Sequence, residues 1–215
     1  MYLFLFLYQI MLMTLIQKTE NIGLRVLLEE AGLADKVVSD YHIGFIIGPC
    51  INATGRLESG RQAVALFCSR NEAEAREMAR NLVMLNEERK HLTEEATMRA
   101  DLALQDGKML QDRVLVLYDP VIHESIAGIV AGRIKDKYYH PTILITGSEE
   151  GAKGSGRSIE GYHLFEALFE NRDLFTRFGG HAMAAGLSLP VENIDILRKR
   201  LNEQCRLTEQ EMIPV

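Results

Sequence analysis

The chain opens on sixteen almost wholly apolar residues, Met1 to Ile16, and its later apolar positions fall into short periodic groups. Leu24, Val26, Leu27 and Leu28, beside polar Glu29 and Glu30, predict an amphipathic helix over 23–32 with Gly32 at its C-terminal cap. A second apolar group, Ile43 to Ile47, ends at Gly48-Pro49, a pair expected to break the helix and open a polar loop from Cys50 to Arg56. Ser59 is then placed to cap a helix running through Phe67. From Asn71 to Asp106 there is neither glycine nor proline, and Asn71 followed by Glu74 has the form of a helix start. Ala75, Met78, Leu82, Leu85, Leu92 and Ala96 recur at steps of three, four and seven, with Arg89 interrupting the stripe. One helix of about 36 residues, ~54 Å long at ~1.5 Å per residue, is predicted. A helix so long and half-polar suits a bridge between two lobes, with a coiled-coil dimer as the alternative.

Beyond Gly107 the period changes. Arg113 to Tyr118 and Thr142 to Ile145 read as strands around a helix from Ser125 to Lys137, which predicts a parallel pair with a crossover connection. Lys153 to Ile159 reads as a polar, glycine-spaced strand or loop, Tyr162 to Phe169 as a short helix, and Ala182 to Leu189 as a strand. Val191 to Arg206 closes with a helix. The fold class is α/β: a helical N-terminal lobe, a long connector helix and a small α/β domain with a mixed sheet.

Composition narrows the functions available. With 215 residues, 47% hydrophobic and 25% charged, the chain suits two small lobes. A formal net charge of −6 excludes a protein coated in cationic surface, so any nucleic-acid contact must come from a few placed groups. Cys50, Cys68 and Cys205 are odd in number and lack Cys-x-x-Cys spacing, which points to a reducing cytoplasm rather than a disulfide framework or zinc site. The opening run lacks the basic start and cleavage site of a signal peptide and is shorter than the ~20 residues that span a bilayer. It is read as a buried or truncated helix, with a membrane-associated segment or a misplaced start as alternatives. No stable membrane association is expected.

Three segments carry candidate chemistry. Gly154-Ser155-Gly156-Arg157-Ser158 combines glycine backbone, two hydroxyls and a guanidinium, a set able to receive an oxyanion through N–H, O–H and charge-assisted contacts. Phe178-Gly179-Gly180-His181 reads as a glycine turn bringing an imidazole near a ligand, or as a tight structural turn. His123-Glu124-Ser125 sits where a strand meets a helix, either as a cap or facing an anion. No carboxylate and histidine cluster has the density that a two-metal hydrolase requires.

Taken together and in this order, Gly48-Pro49-Cys50-Ile51-Asn52-Ala53-Thr54-Gly55-Arg56, His123 with Gly128 to Ala131, Gly154 to Ser158, and Gly179 to Gly186 resemble the RecJ-like single-strand DNA exonucleases of the DHH phosphoesterase superfamily. The resemblance runs from about Leu15 to Arg206. It implies that 1–68 is the C-terminal remnant of a DHH domain, 69–106 the connector, 107–206 the DHH-associated nucleic-acid-binding domain and 207–215 a tail. It implies 5′→3′ degradation of single-stranded DNA in repair and recombination, with manganese or magnesium held by a DHH catalytic portion outside this chain. It also implies that Asn52 and Arg56 reach phosphates in the cleft, where His123 also sits. Ser155, Arg157 and the adjoining Ser158 would hold a terminal phosphate, and Gly179, Gly180 and His181 line the nucleic-acid face. A non-catalytic nucleic-acid-binding module, or a relative cleaving short oligonucleotides or cyclic dinucleotides, are the alternatives. Cys50, Ile122 and Ser125 stand where the family usually has arginine, tryptophan and glycine.

Overall fold

A computed structural model describes residues 14–106, 109–149 and 151–213, so the reading of the apolar opening falls mostly outside the described residues. The chain divides into two compact units, 1–91 and 92–215. No described helix is long and apolar enough to cross a membrane.

The first unit is helical. Helix α1 (Ile22–Glu30) starts where the Asn21 side chain accepts from Leu24 N–H. It ends as the sequence predicts: Gly32 takes φ +73°, its N–H donates to Glu29 O and Leu33 N–H donates to Leu28 O. That pair of bonds satisfies two terminal carbonyls, and the buried side chains of Leu28 and Leu33 flank the turn. Two more helices follow, α2 (Gly48–Leu57) and α3 (Arg61–Cys68). Leu27, Leu66 and Leu82 are fully buried in the unit's core. Arg76, on the long helix α4 (Glu72–Asp106), forks between Glu29 at 2.7 Å, Glu30 at 3.0 Å and Glu72 at 3.1 Å, which ties α4 to α1.

The expected break at Gly48-Pro49 does not occur. A helical turn (Asp40–His42) passes through a π-helical turn (Ile43–Ile47) directly into α2, and Cys50 to Arg56 is helix rather than loop. The π turn carries the Gly48 N–H to Ile43 O, five residues back, and Pro49 falls in the first turn of α2, where a missing N–H is tolerated. Glycine makes this possible. Residue 48 holds α-region angles before a proline, and a Cβ there would lie 2.9 Å from Ile43 O.

The second unit holds a five-stranded sheet: β1 (Leu115–Tyr118), β2 (Thr142–Ser148), β3 (Gly151–Arg157), β4 (Arg177–His181) and β5 (Ala184–Leu189). Their order is β1-β2-β3-β5-β4, with β1 and β2 parallel and every other pair antiparallel. Helix α5 (Glu124–Tyr138) joins the parallel pair, as the strand-helix-strand pattern predicts. One face packs against α6 (Leu164–Glu170) and α7 (Ile194–Gln204) through Val116, Ile143, Ile145, Leu187, Leu164 and Leu197. The other presents Leu115, Leu117 and Leu144 to α5 and to Ala96, Ala100 and Leu104 of α4. Asn202 closes the start of β1: its side chain accepts from Val114 N–H at 3.0 Å and donates to Val114 O at 2.9 Å.

The glycine turn read at Gly179-Gly180-His181 is instead the edge strand β4, and Ala182 and Met183 make the turn. Gly180 sits there with φ +154°, where a Cβ would lie 2.3 Å from Ala184 O.

Candidate nucleic-acid interface

Strand register sorts the candidate residues by face, because directly opposed residues of an antiparallel pair point the same way. Three rows cross β3, β5 and β4: Lys153, Ser188 and Arg177; Ser155, Gly186 and Gly179; Arg157, Ala184 and His181. These rows share the sheet face that α5 packs against over β2 and β3. Lys153, Arg177, Gly179, His181 and Gly186 are exposed and Ser155, Arg157, Ala184 and Ser188 half-buried, so the face opens over β5 and β4, beyond the strip of β3 that α5 packs against. Adjacent strands lie ~4.8 Å apart, so β3 and β4 stand about 10 Å apart across this face with β5 between them.

The five-residue segment 154–158 does not form the amide cradle anticipated for it. Strand β3 is hydrogen-bonded on both sides, to β2 and β5, so its N–H groups belong to the ladder. Its two glycines serve packing. A Cβ on Gly154 would lie 2.9 Å from Leu187 Cδ1, and one on Gly156 would lie 2.7 Å from Leu164 Cδ2. Ser158 also leaves the set. It is buried, and its hydroxyl donates to Tyr162 O at 2.7 Å while its N–H donates to Met183 O. Ser155 and Arg157 remain on the same face as the glycine row, half-buried beside α5.

Gly179 and Gly186 differ from these packing glycines. A Cβ on Gly179 would meet nothing within 4 Å, and one on Gly186 would only reach Gly154 O at 4.0 Å. Neither has a positive φ. Glycine inside a strand costs stability, and its presence here follows neither from backbone strain nor from crowding. The middle row is a bare floor of two glycines beside a serine, with cationic or imidazole side chains at both ends.

The side chains around that floor are held from behind. Arg157 donates to Gly156 O at 2.7 Å and lies against α5, where a Cβ on Gly128 would come within 2.5 Å of Nη2. Gly128 therefore makes room for the guanidinium. Gly128→Ala should raise the intrinsic stability of α5 by up to ~1 kcal/mol while displacing Arg157. Urea unfolding together with the Arg157 side-chain NMR resonance checks both halves, and an unmoved Arg157 resonance would count against this packing role. His181 Nδ1 accepts from Met183 N–H at 3.3 Å, which leaves Nε2 as the donor nitrogen of the ring. His123 behaves alike as the N-cap of α5, its Nδ1 taking the Ser125 N–H at 3.3 Å. Lys153 pairs with Glu124 at 2.6 Å.

In the first unit, Asn52 and Arg56 are four residues apart on α2 and so share a helix face. With Gly55, Val64 and Phe67 they line a cleft of ≈ 560 Å³. Two of the three family departures fall in packing positions: Cys50 and Ile122 are buried, and burial pushes the Cys50 thiol upward. The third, Ser125, bonds His123 at 2.6 Å. Sequence reasoning missed Lys153, Arg177 and Gly128 as parts of this arrangement. Only the register between strands could have found the first two.

Residues 111–207 match the DHHA1 domain family. The single-stranded-DNA-specific exonuclease RecJ of Bacillus subtilis is 38% identical over 205 residues, which covers 93% of this chain and 26% of that protein. Escherichia coli RecJ is 36% identical, covering 84% of this chain and 33% of the relative. Among solved structures, exonuclease RecJ bound to manganese superposes with a TM-score of 0.80 at 31% identity, over 92% of this chain and 49% of the other. Thermus thermophilus RecJ in complex with Mn2+ gives 0.77 at 31% identity, over 89% and 28%. This sequence thus spans about a quarter to a third of the curated relatives. The chain belongs to the RecJ family of the DHH superfamily, as a portion of its length that carries a DHHA1 domain.

Proposed function

We propose that this chain is the strand-holding portion of a RecJ-type 5′→3′ single-strand DNA exonuclease, and that it binds DNA phosphates over the open half of its sheet. The observation that carries this reading is the bare floor of Gly179 and Gly186, left without side chains where no packing demands it. Ser155 and Arg157 hold a terminal phosphate from one edge, and His181 donates from Nε2 across the floor. Gly180 shapes the strand end beside them, while Ser158 fixes the turn behind Arg157. Asn52 and Arg56 contact phosphate from the first unit, with His123 at the mouth of α5. Residues 1–68 act as the end of a DHH domain, 69–106 as its connector, 107–206 as the associated domain and 207–215 as a tail. Repair and recombination in the cytoplasm is the setting that fits this role.

The similar RecJ structures are described with Mg2+ or Mn2+. Among the described residues no three His, Cys, Asp or Glu side chains gather so as to hold a metal ion. The described residues do not supply a donor set for that group, and the metal-dependent step is assigned to a DHH portion of the longer enzyme. A binding module acting without hydrolysis is the second reading, and manganese-dependent nucleotide release separates the two.

Fluorescence anisotropy with a 5′-phosphorylated single-stranded oligonucleotide tests the proposal. Loss of a charge-assisted contact predicts at least about tenfold weaker binding for Arg157→Ala. Equal affinity of parent and variant would sink the assignment. Manganese-dependent nucleotide release by the chain alone, above a metal-free control, would place the catalytic ligands within it.

A further inference from the structure

The row formed by Lys153, Ser188 and Arg177 takes no part in the terminal-phosphate contact, yet it mirrors the Arg157, Ala184 and His181 row across the glycine floor. We infer that this second row is a phosphate site of its own, so that the face holds a track of several nucleotides rather than a single phosphate. The inference rests on the reading of this face as a nucleic-acid surface. Lys153 and Arg157 are four residues apart on β3, which separates the rows by ~13 Å at ~3.3 Å per residue. At ~3.4 Å per stacked nucleotide that is a span of about four nucleotides, and fewer for an extended strand.

Charge complementarity selects the occupant. Three cationic side chains and one imidazole ring the floor of a chain whose net charge is −6, a placed concentration against the overall balance. The small Ser188 hydroxyl keeps the second row low, and the floor between the rows lets a sugar-phosphate backbone pass at the level of the sheet. The two cations differ. Arg177 is exposed and makes no ion pair among the described residues, whereas Lys153 is paired with Glu124 across a half-exposed bridge. Arg177 is therefore the stronger contact, and Glu124 restrains Lys153.

The test is titration of the full chain with single-stranded oligonucleotides of two to eight nucleotides at several salt concentrations. The parent should gain affinity up to about four to six nucleotides. Arg177→Ala should lose that gain, bind a hexanucleotide at least fivefold more weakly, and flatten the log K against log salt slope by ~0.7, the value for one phosphate neutralised on a single strand. Lys153→Ala should do the same more weakly, and Glu124→Gln should tighten the hexanucleotide two- to threefold. Lys199→Ala removes the same charge from α7, beyond the opposite sheet face, and is the control. If Arg177→Ala and Lys153→Ala match Lys199→Ala while Arg157→Ala is weakened, the second row is not a phosphate site and the terminal-phosphate reading stands. If Arg157→Ala is also unaffected, that reading fails first. A poly-glutamate peptide of equal charge competing as well as the oligonucleotide would overturn the inference in favour of an acidic-peptide surface.

Discussion

Replacing Gly186 by threonine should leave the chain at least as stable as the parent and weaken single-strand binding tenfold or more. Most substitutions that abolish binding also disturb the fold, so this combination is diagnostic. Gly186 has ordinary strand angles, and the nearest atom to an added Cβ is Gly154 O at 4.0 Å. Threonine is a favoured strand residue, and strand preferences span about 1 kcal/mol. Removing glycine from a strand interior also recovers conformational entropy lost on folding. On the binding side, the new side chain stands between Ser155 and Gly179, in the middle of the floor. A backbone passing there must rise away from Arg157 and His181. Urea midpoints and anisotropy on the same preparations give both numbers. Unchanged affinity in a stable Gly186→Thr chain would mean that no ligand crosses the floor, whatever Arg157 does.

Gly23→Ala should have the largest effect on stability. Helix α1 passes so close to the end of α3 that a Cβ at residue 23 would lie 2.1 Å from Leu66 O and 2.7 Å from Leu66 C. Those are backbone atoms of a buried residue and cannot swing aside as a side-chain end would. The helices must part, and Val26, Leu27 and Leu66 lose packing with them. Overpacking of this kind costs about 3 kcal/mol, a large share of the ~5–15 kcal/mol that holds a typical domain together. Hydrogen exchange read by mass spectrometry should show protection lost in peptides from α1 and α3 and retained in β1 to β5. Gly132→Ala in α5, where a Cβ meets nothing within 4 Å, is the matched comparison and should stabilise slightly. Retained protection in α1 of the Gly23→Ala chain would show that the helices can separate at little cost.

Where local chemistry decides the structure, the sequence was readable. Gly32 ends α1 because a left-handed residue is needed there, and Asn71 starts α4 by accepting from Ala73 and Glu74 N–H. The strand-helix-strand order of β1, α5 and β2 follows from period and length. The π turn was hidden because Gly48-Pro49 usually ends a helix, and only the five-residue hydrogen bond to Ile43 shows how the chain continues. Strand β4 was hidden for a related reason: Arg177 to His181 has little strand character of its own and is extended because β5 pairs with it. The candidate site was legible as a set of letters and not as a surface. Gly154, Gly156, Gly179 and Gly186 look alike in one dimension, yet the first two pack against leucines and the others floor an open face. Which glycine does which depends on register, a property of two strands at once. The same holds for Lys153 and Arg177, separated by two dozen positions and joined only through Ser188.

The π turn before α2 also acts as a rotary index. A π turn amounts to one residue inserted into an α-helix, and one residue is worth about 100° of azimuth. Asn52 and Arg56 therefore point in directions set by that single extra residue, relative to the turn at Asp40–His42. Shortening the segment by one would swing the whole outward face of α2 by more than a quarter turn without altering any residue on it. The spare residue is thus a length-encoded pointer, and an insertion or deletion upstream of Gly48 changes where α2 aims its side chains while leaving their identities intact.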